Sequence, residues 1–194
     1  MNSEWVRIFE SNNGYLHSRQ LTKRSQYYQL RKLVDQGEIV MLKRGLYHLA
    51  DMPGSDEWAK IAQIVPLGVI CMFSAWQYWQ LSTQVPVSYH IAIGKKEKAV
   101  VPQYPPIQLY YWQDQAAKLG VTEVTRDGHQ VRIFNPEKSV CDAIRFRNKI
   151  GMDLVAEILK NYLSGPDKNI DLLLKYAGSL RIAKPISDYL RIIL

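Results

Sequence analysis

Residues 18–49 read SRQLTKRSQYYQLRKLVDQGEIVMLKRGLYHL, and this stretch decides the fold. Ser25 is placed to cap a helix whose apolar positions Tyr27, Leu30, Leu33 and Val34 recur three and four apart, and Gly37 stops it. Two strand-like runs follow, Ile39-Val40-Met41-Leu42 and Leu46-Tyr47-His48-Leu49. They flank Lys43-Arg44-Gly45, a hairpin signal with glycine where a positive φ is cheap. Upstream, Ser3 can cap a first helix carrying Trp5, Ile8 and Phe9, which ends in Asn12-Asn13-Gly14. A short second helix is expected over residues 18–23, with Leu16 and Leu21 as its apolar contacts. Three short helices closing with a β-hairpin predict a winged helix-turn-helix over residues 1–52. In that arrangement the third helix enters the major groove of DNA and the hairpin lies along the backbone.

Charge coincides with this architecture. The chain of 194 residues carries 25 Lys and Arg against 18 Asp and Glu, a net +7 with a pI near 9.3, which favours polyanionic partners. Between Arg19 and Arg44 there are seven bases and two acids. The side of the third helix away from its apolar stripe presents Ser25, Gln29, Lys32 and Gln36, flanked by Gln26, Tyr28 and Arg31, with Arg24 at its start. Gln pairs in bidentate fashion with adenine, and Lys or Arg reaches guanine or phosphate. Lys43 and Arg44 are expected at the wing tip, suited to phosphate. A winged domain that docks a protein is the alternative. It has no need of both a basic helix face and a basic wing.

Composition bounds the remaining classes. Apolar residues at 47% and charged residues at 22% are ordinary globular usage. The longest apolar stretch, residues 65–73, contains Pro66 and Gly68 and falls far short of the roughly 20 residues that span a bilayer. The N-terminus lacks the basic start and apolar run of a secretory signal. Cys71 and Cys141, both in apolar settings, are expected reduced and buried, which points to the cytoplasm.

Residues 51–55, Asp-Met-Pro-Gly-Ser, mark the expected boundary with a second domain over residues 53–194. There the sequence predicts α+β structure, a small sheet followed by a C-terminal helical bundle. Expected elements are a helix over residues 56–65, a helix over 75–81 capped by Ser74, strands over 89–93 and 107–112, and a hairpin turning at Asp127-Gly128. Pro136 opens a helix after Asn135, and stripes through Leu154–Leu163, Ile170–Ala177 and Ile186–Ile193 complete the bundle. Catalytic constellations are scarce. The four histidines are dispersed, there is no CxxC, and Gly94-Lys95-Lys96 lacks the frame of a phosphate loop. Asp142 is expected to pair on the helix surface with Arg145 or Arg147. No catalytic residue, metal site or cofactor is expected.

Several motifs together resemble the AbiEi antitoxins of type IV toxin–antitoxin (abortive infection) systems. These are Gly14-Tyr15-Leu16, Gly37-Glu38-Ile39 with Lys43-Arg44-Gly45-Leu46-Tyr47, Pro66–Cys71, Phe73–Trp76, Leu81–Pro86 and, most distinctive, Asn135–Arg145. The resemblance covers nearly the whole chain in motif order. It implies a transcriptional repressor of its own operon that binds inverted repeats in double-stranded promoter DNA, often cooperatively with a second copy of itself. It further implies a nucleotidyltransferase-like toxin as functional partner, with no stable complex, and a second domain serving antitoxicity and cooperativity. Lys43 and Arg44 match the family's Arg-Gly-hydrophobic-Tyr segment. Two-fold related copies would read half-sites about 10 base pairs, or a multiple of that, apart.

Overall fold

A computed structural model describes residues 3–50 and 56–193. The boundary cluster at 51–55 lies outside the described residues. The protein is α+β: an N-terminal winged helix-turn-helix, then a mixed domain with a small sheet and a helical C-terminal region. It divides into two compact units. The first runs to residue 66 and includes residues 99–105 and 125–130; the second comprises 67–98, 106–124 and 131–194. The first unit therefore reaches beyond the 1–52 delimited from sequence.

In the first unit, α1 (Ser3–Glu10) is followed by β1 (Tyr15–His17), a single 3-10 turn (Ser18–Gln20), α2 (Arg24–Asp35), β2 (Ile39–Lys43), β3 (Leu46–Leu49) and α3 (Glu57–Ile64). The strands form an antiparallel sheet in the order β1-β3-β2. Trp5 and Phe9 of α1, Leu16 and Leu21, and Leu30 and Leu33 of α2 converge with Ile39 in one core. At about 1.5–3 kcal/mol per fully buried large apolar side chain, this cluster is what holds α2 in place.

The second helix expected at 18–23 is only that one 3-10 turn. Leu16 belongs to β1, opposite Tyr47, and Leu21 is already extended. The Tyr27 hydroxyl donates to the Ser18 and Leu21 carbonyls at 2.9 and 3.4 Å, so side-chain bonds replace a second helical turn there. Nor does Ser25 cap α2. The helix starts at Arg24, with Lys23 at the cap position, and Gln26 in its first turn reaches back so that its Oε1 accepts from the Lys23 and Thr22 N–H groups just ahead of the helix. The wing turn is two residues, Arg44-Gly45. Gly45 has φ +81°, a conformation that favours glycine, and a Cβ there would also crowd Ser18 Oγ at 3.0 Å.

The second unit is built on a five-stranded sheet in the order β6-β5-β4-β8-β7. Its strands are β4 (Val69–Ile70), β5 (Tyr89–Gly94), β6 (Ile107–Trp112), β7 (Val121–Arg126) and β8 (His129–Phe134), the last two turning through residues of the first unit. β5 pairs antiparallel with β4 and parallel with β6. α4 (Met72–Tyr78) begins earlier than expected: Ser74 is buried inside it, its Oγ accepting from the His90 N–H at 2.9 Å, rather than capping residues 75–81. The remaining helices are α5 (Asp114–Lys118), α6 (Pro136–Arg145), α7 (Arg147–Ile150), α8 (Met152–Ser164), α9 (Ile170–Ser179) and α10 (Ala183–Ile193). Among the described residues, no helix is long and apolar enough to cross a membrane.

α6 runs through the centre of this unit, with residues 137–144 all buried. Asn135 caps it by accepting from the Lys138 N–H at 3.0 Å, with Pro136 at the first turn. Asp142 pairs with Lys138, not with Arg145 or Arg147. Both side chains are fully buried, and Lys138 Nζ donates to the two carboxylate oxygens at 2.7 and 2.8 Å. The ammonium lies 3.8 Å from the Trp112 ring centroid and 4.1 Å from that of Phe134. The carboxylate faces inward because the preceding helical turn offers a cation already enclosed by aromatic faces, where the pair attracts more strongly than in water. Gly120 makes room for this helix: its own Cβ would fall 2.6 Å from Lys138 Cβ.

Candidate nucleic-acid interface

The residues singled out from sequence fall into three groups. Arg24, Ser25, Tyr28, Arg31 and Lys32 are exposed on the outward side of α2, opposite buried Leu30 and Leu33. Arg31 and Lys32 have no ion pair or hydrogen bond among the described residues, so two cations are free on this face. Arg24 donates to the Tyr28 hydroxyl at 3.4 Å, with its guanidinium carbon 5.9 Å from that ring.

Gln26 and Gln29 are placed differently. Gln26 is half-buried and serves the N-terminus of α2 as described above. Gln29 is exposed as a residue, yet its Oε1 accepts from the Trp5 indole N–H at 3.2 Å, tying α2 to α1.

The wing residues separate. Arg44 is exposed in the turn, without an ion pair or hydrogen bond among the described residues. Lys43 is the last residue of β2, not the tip. Its ammonium donates at 2.5 Å to the carbonyl of Ile64, the final residue of α3. A cation there satisfies one of the open carbonyls at the negative end of the helix. Partial burial pulls the Lys43 pKa below the ordinary lysine value. Of the two basic wing residues, Arg44 alone has no hydrogen-bond or ion-pair partner among the described residues.

What sequence reasoning missed is Tyr27. Its position in the apolar stripe suggested a core residue, but it is 44% exposed. Ser18 donates its N–H to the Gly45 carbonyl at 2.9 Å and accepts from the Tyr27 hydroxyl. That relay ties the wing turn, which bears Arg44, to α2 through Ser18. A tyrosine among leucines in such a stripe was the available signal, because its hydroxyl needs a partner. Arg19, exposed in the 3-10 turn beside Ser18, adds another cation.

Neither the family models nor the curated proteins give a match to this chain. Among solved structures, it is similar to that of the Rv2827c protein from Mycobacterium tuberculosis, with a TM-score of 0.58 and 13% identity, covering 92% of this chain and 72% of that one. At that identity the likeness concerns the fold alone.

Proposed function

We propose that this protein is a cytoplasmic, non-enzymatic transcriptional repressor that binds double-stranded operator DNA through its winged helix. The observation that supports this reading best is the outward face of α2. It carries Arg31 and Lys32, which have no ion pair or hydrogen bond among the described residues, and the Tyr27–Ser18–Gly45 relay ties it to the wing turn that bears Arg44. A helix presented this way fits a major groove, with the wing on the flanking phosphates. The resemblance to AbiEi antitoxins extends the proposal. The DNA would be inverted repeats in the protein's own promoter, each bound by one copy. The biological role would be to oppose a nucleotidyltransferase-like toxin without forming a stable complex with it.

The test is binding to the duplex upstream of the protein's own gene against a shuffled duplex of equal length. Three phosphate contacts per copy, from Arg31, Lys32 and Arg44, give a slope of about −2.7 in log affinity against log salt. That is a loss of about 40-fold between roughly 50 and 200 mM salt. Strong preference for the native duplex with at least this salt dependence is expected; equal, weak binding to both duplexes would remove the proposal. One observation favours a second reading. Val40 and Met41, on opposite faces of edge strand β2, are 46% and 53% exposed, which leaves an apolar open sheet edge suited to a protein partner. Co-purification with the toxin in high salt, without DNA affinity, would select that adaptor role.

A further inference from the structure

The outward face of α2 offers two chemistries for reading a base pair. A glutamine reads adenine through two bonds at once, its carbonyl oxygen accepting from the N6 amino group and its amide donating to N7. Two of the three glutamines named on or beside this face, Gln26 and Gln29, have that oxygen committed to the protein; the third, Gln36, is the C-cap of α2, at the far end from the helix start. Gln26 Oε1 takes two backbone N–H groups, at 3.2 and 3.1 Å, which fills both of its lone pairs. Gln29 Oε1 takes the indole N–H of Trp5, a side chain only 2% exposed, so the oxygen faces α1. Since an indole N–H can only donate, the amide cannot reverse without losing that bond.

Arg24 has the opposite disposition. It sits at the N-terminal end of α2, the end of a recognition helix that meets base edges. One guanidinium nitrogen donates to the Tyr28 hydroxyl at 3.4 Å, and Tyr28, one turn on and 64% exposed, lies alongside the group at 5.9 Å. A phenol oxygen engages one of the five N–H donors of the fork and leaves the others free. The tyrosine restricts the rotamers of a long side chain without neutralising it, so less entropy is lost when the fork meets a ligand. The planar fork matches the O6 and N7 acceptors of guanine.

We infer, resting on the operator-binding reading above, that Arg24 reads a guanine in each half-site, that Tyr28 positions it, and that Gln26 and Gln29 do not read adenine. The test is selection from a pool of random duplexes by the full-length protein and by Arg24→Ala, Tyr28→Phe and Gln29→Ala, each checked for unchanged helical content. The wild-type site should hold a guanine at one position of each half-site. Arg24→Ala should flatten that position by about tenfold. Tyr28→Phe should weaken the same position by less, and Gln29→Ala should leave the base profile as it was. A guanine preference that survives Arg24→Ala, or a uniform affinity loss with an unchanged profile, would assign Arg24 to phosphate and overturn the inference. So would an adenine preference that vanishes with Gln29→Ala. A wild-type protein that enriches no sequence would instead remove the operator-binding reading itself.

Discussion

Two adjacent cations, Lys43 and Arg44, separate by experiment what sequence joins. Lys43 holds the carbonyl of Ile64, whereas Arg44, exposed in the wing turn, has no ion pair or hydrogen bond among the described residues. The perturbations are Lys43→Met, which keeps most of the aliphatic stem, and Arg44→Ala. One phosphate contact contributes about 0.9 to the slope of log affinity against log salt. Over a fourfold rise in salt that amounts to about a 3.5-fold change in affinity. Arg44→Ala should therefore reduce the slope by about 0.9 and leave the melting temperature unchanged. Lys43→Met removes a charge-assisted hydrogen bond from a half-buried site, a loss of about 1–2 kcal/mol. For a protein of this size that lowers the melting temperature by about 2–8 °C, with no change in slope. Fluorescence anisotropy of a labelled operator duplex at about 50, 100 and 200 mM salt, paired with calorimetry, reads both quantities. A slope that drops by about one in Lys43→Met at unchanged stability would refute the assignment, because it would put the Lys43 ammonium on phosphate.

Two further outcomes follow from buried ionisable groups. Burial already pushes the Asp142 pKa up to about 6, and Lys138 is what holds it from rising further. Lys138→Met therefore leaves a buried carboxyl without its partner and should cost about 3–5 kcal/mol; adding Asp142→Leu should recover most of that loss, measured by urea denaturation. A double variant no more stable than the single one would show that the pair is not the reason for the loss. His48, buried against Tyr15 with its Nε2 lacking a partner among the described residues, has its pKa pulled below the ordinary value by burial and by the nearby charges of Lys60 and His129. The unfolded chain then takes up a proton before the folded one does. The stability His48 contributes is complete above about pH 6.5 and is lost as pH falls through its lower folded value. Amides of β3 should exchange faster at pH 5 than at pH 7, after correction for intrinsic rates, and less so in His48→Leu. An equal pH response in that variant would exonerate His48.

Legibility in the sequence followed the range of the interactions. The α1 stripe, the hairpin at residues 39–49 and the C-terminal helices were readable because period and punctuation are local. The 3-10 turn at Ser18 was not, since Tyr27 decides it from nine residues away. β4 has two residues and pairs with β5 and β8, so no periodicity could announce it. At the candidate interface, the cationic face of α2 was legible from spacing alone. The diversion of Gln26 and Gln29 into the protein was not. Their amides can serve a base or a backbone equally well, and only the positions of Trp5, Thr22 and Lys23 settle which. The same holds for Asp142, where surface spacing to Arg145 competes with an equally good i,i+4 spacing to Lys138.

The central claim is that the outward face of α2 lies in the major groove of a specific duplex. Cys71 and Cys141 are both fully buried, so a cysteine introduced by Lys32→Cys on that face would be the reactive thiol. Tethering a DNA-cleaving chelate there and mapping strand scission on the native upstream duplex gives the position of the helix directly. The account predicts cuts confined to a few base pairs within each half-site, displaced between the strands as a major-groove source requires. Cuts spread evenly along the duplex, or the same on a shuffled one, would contradict it.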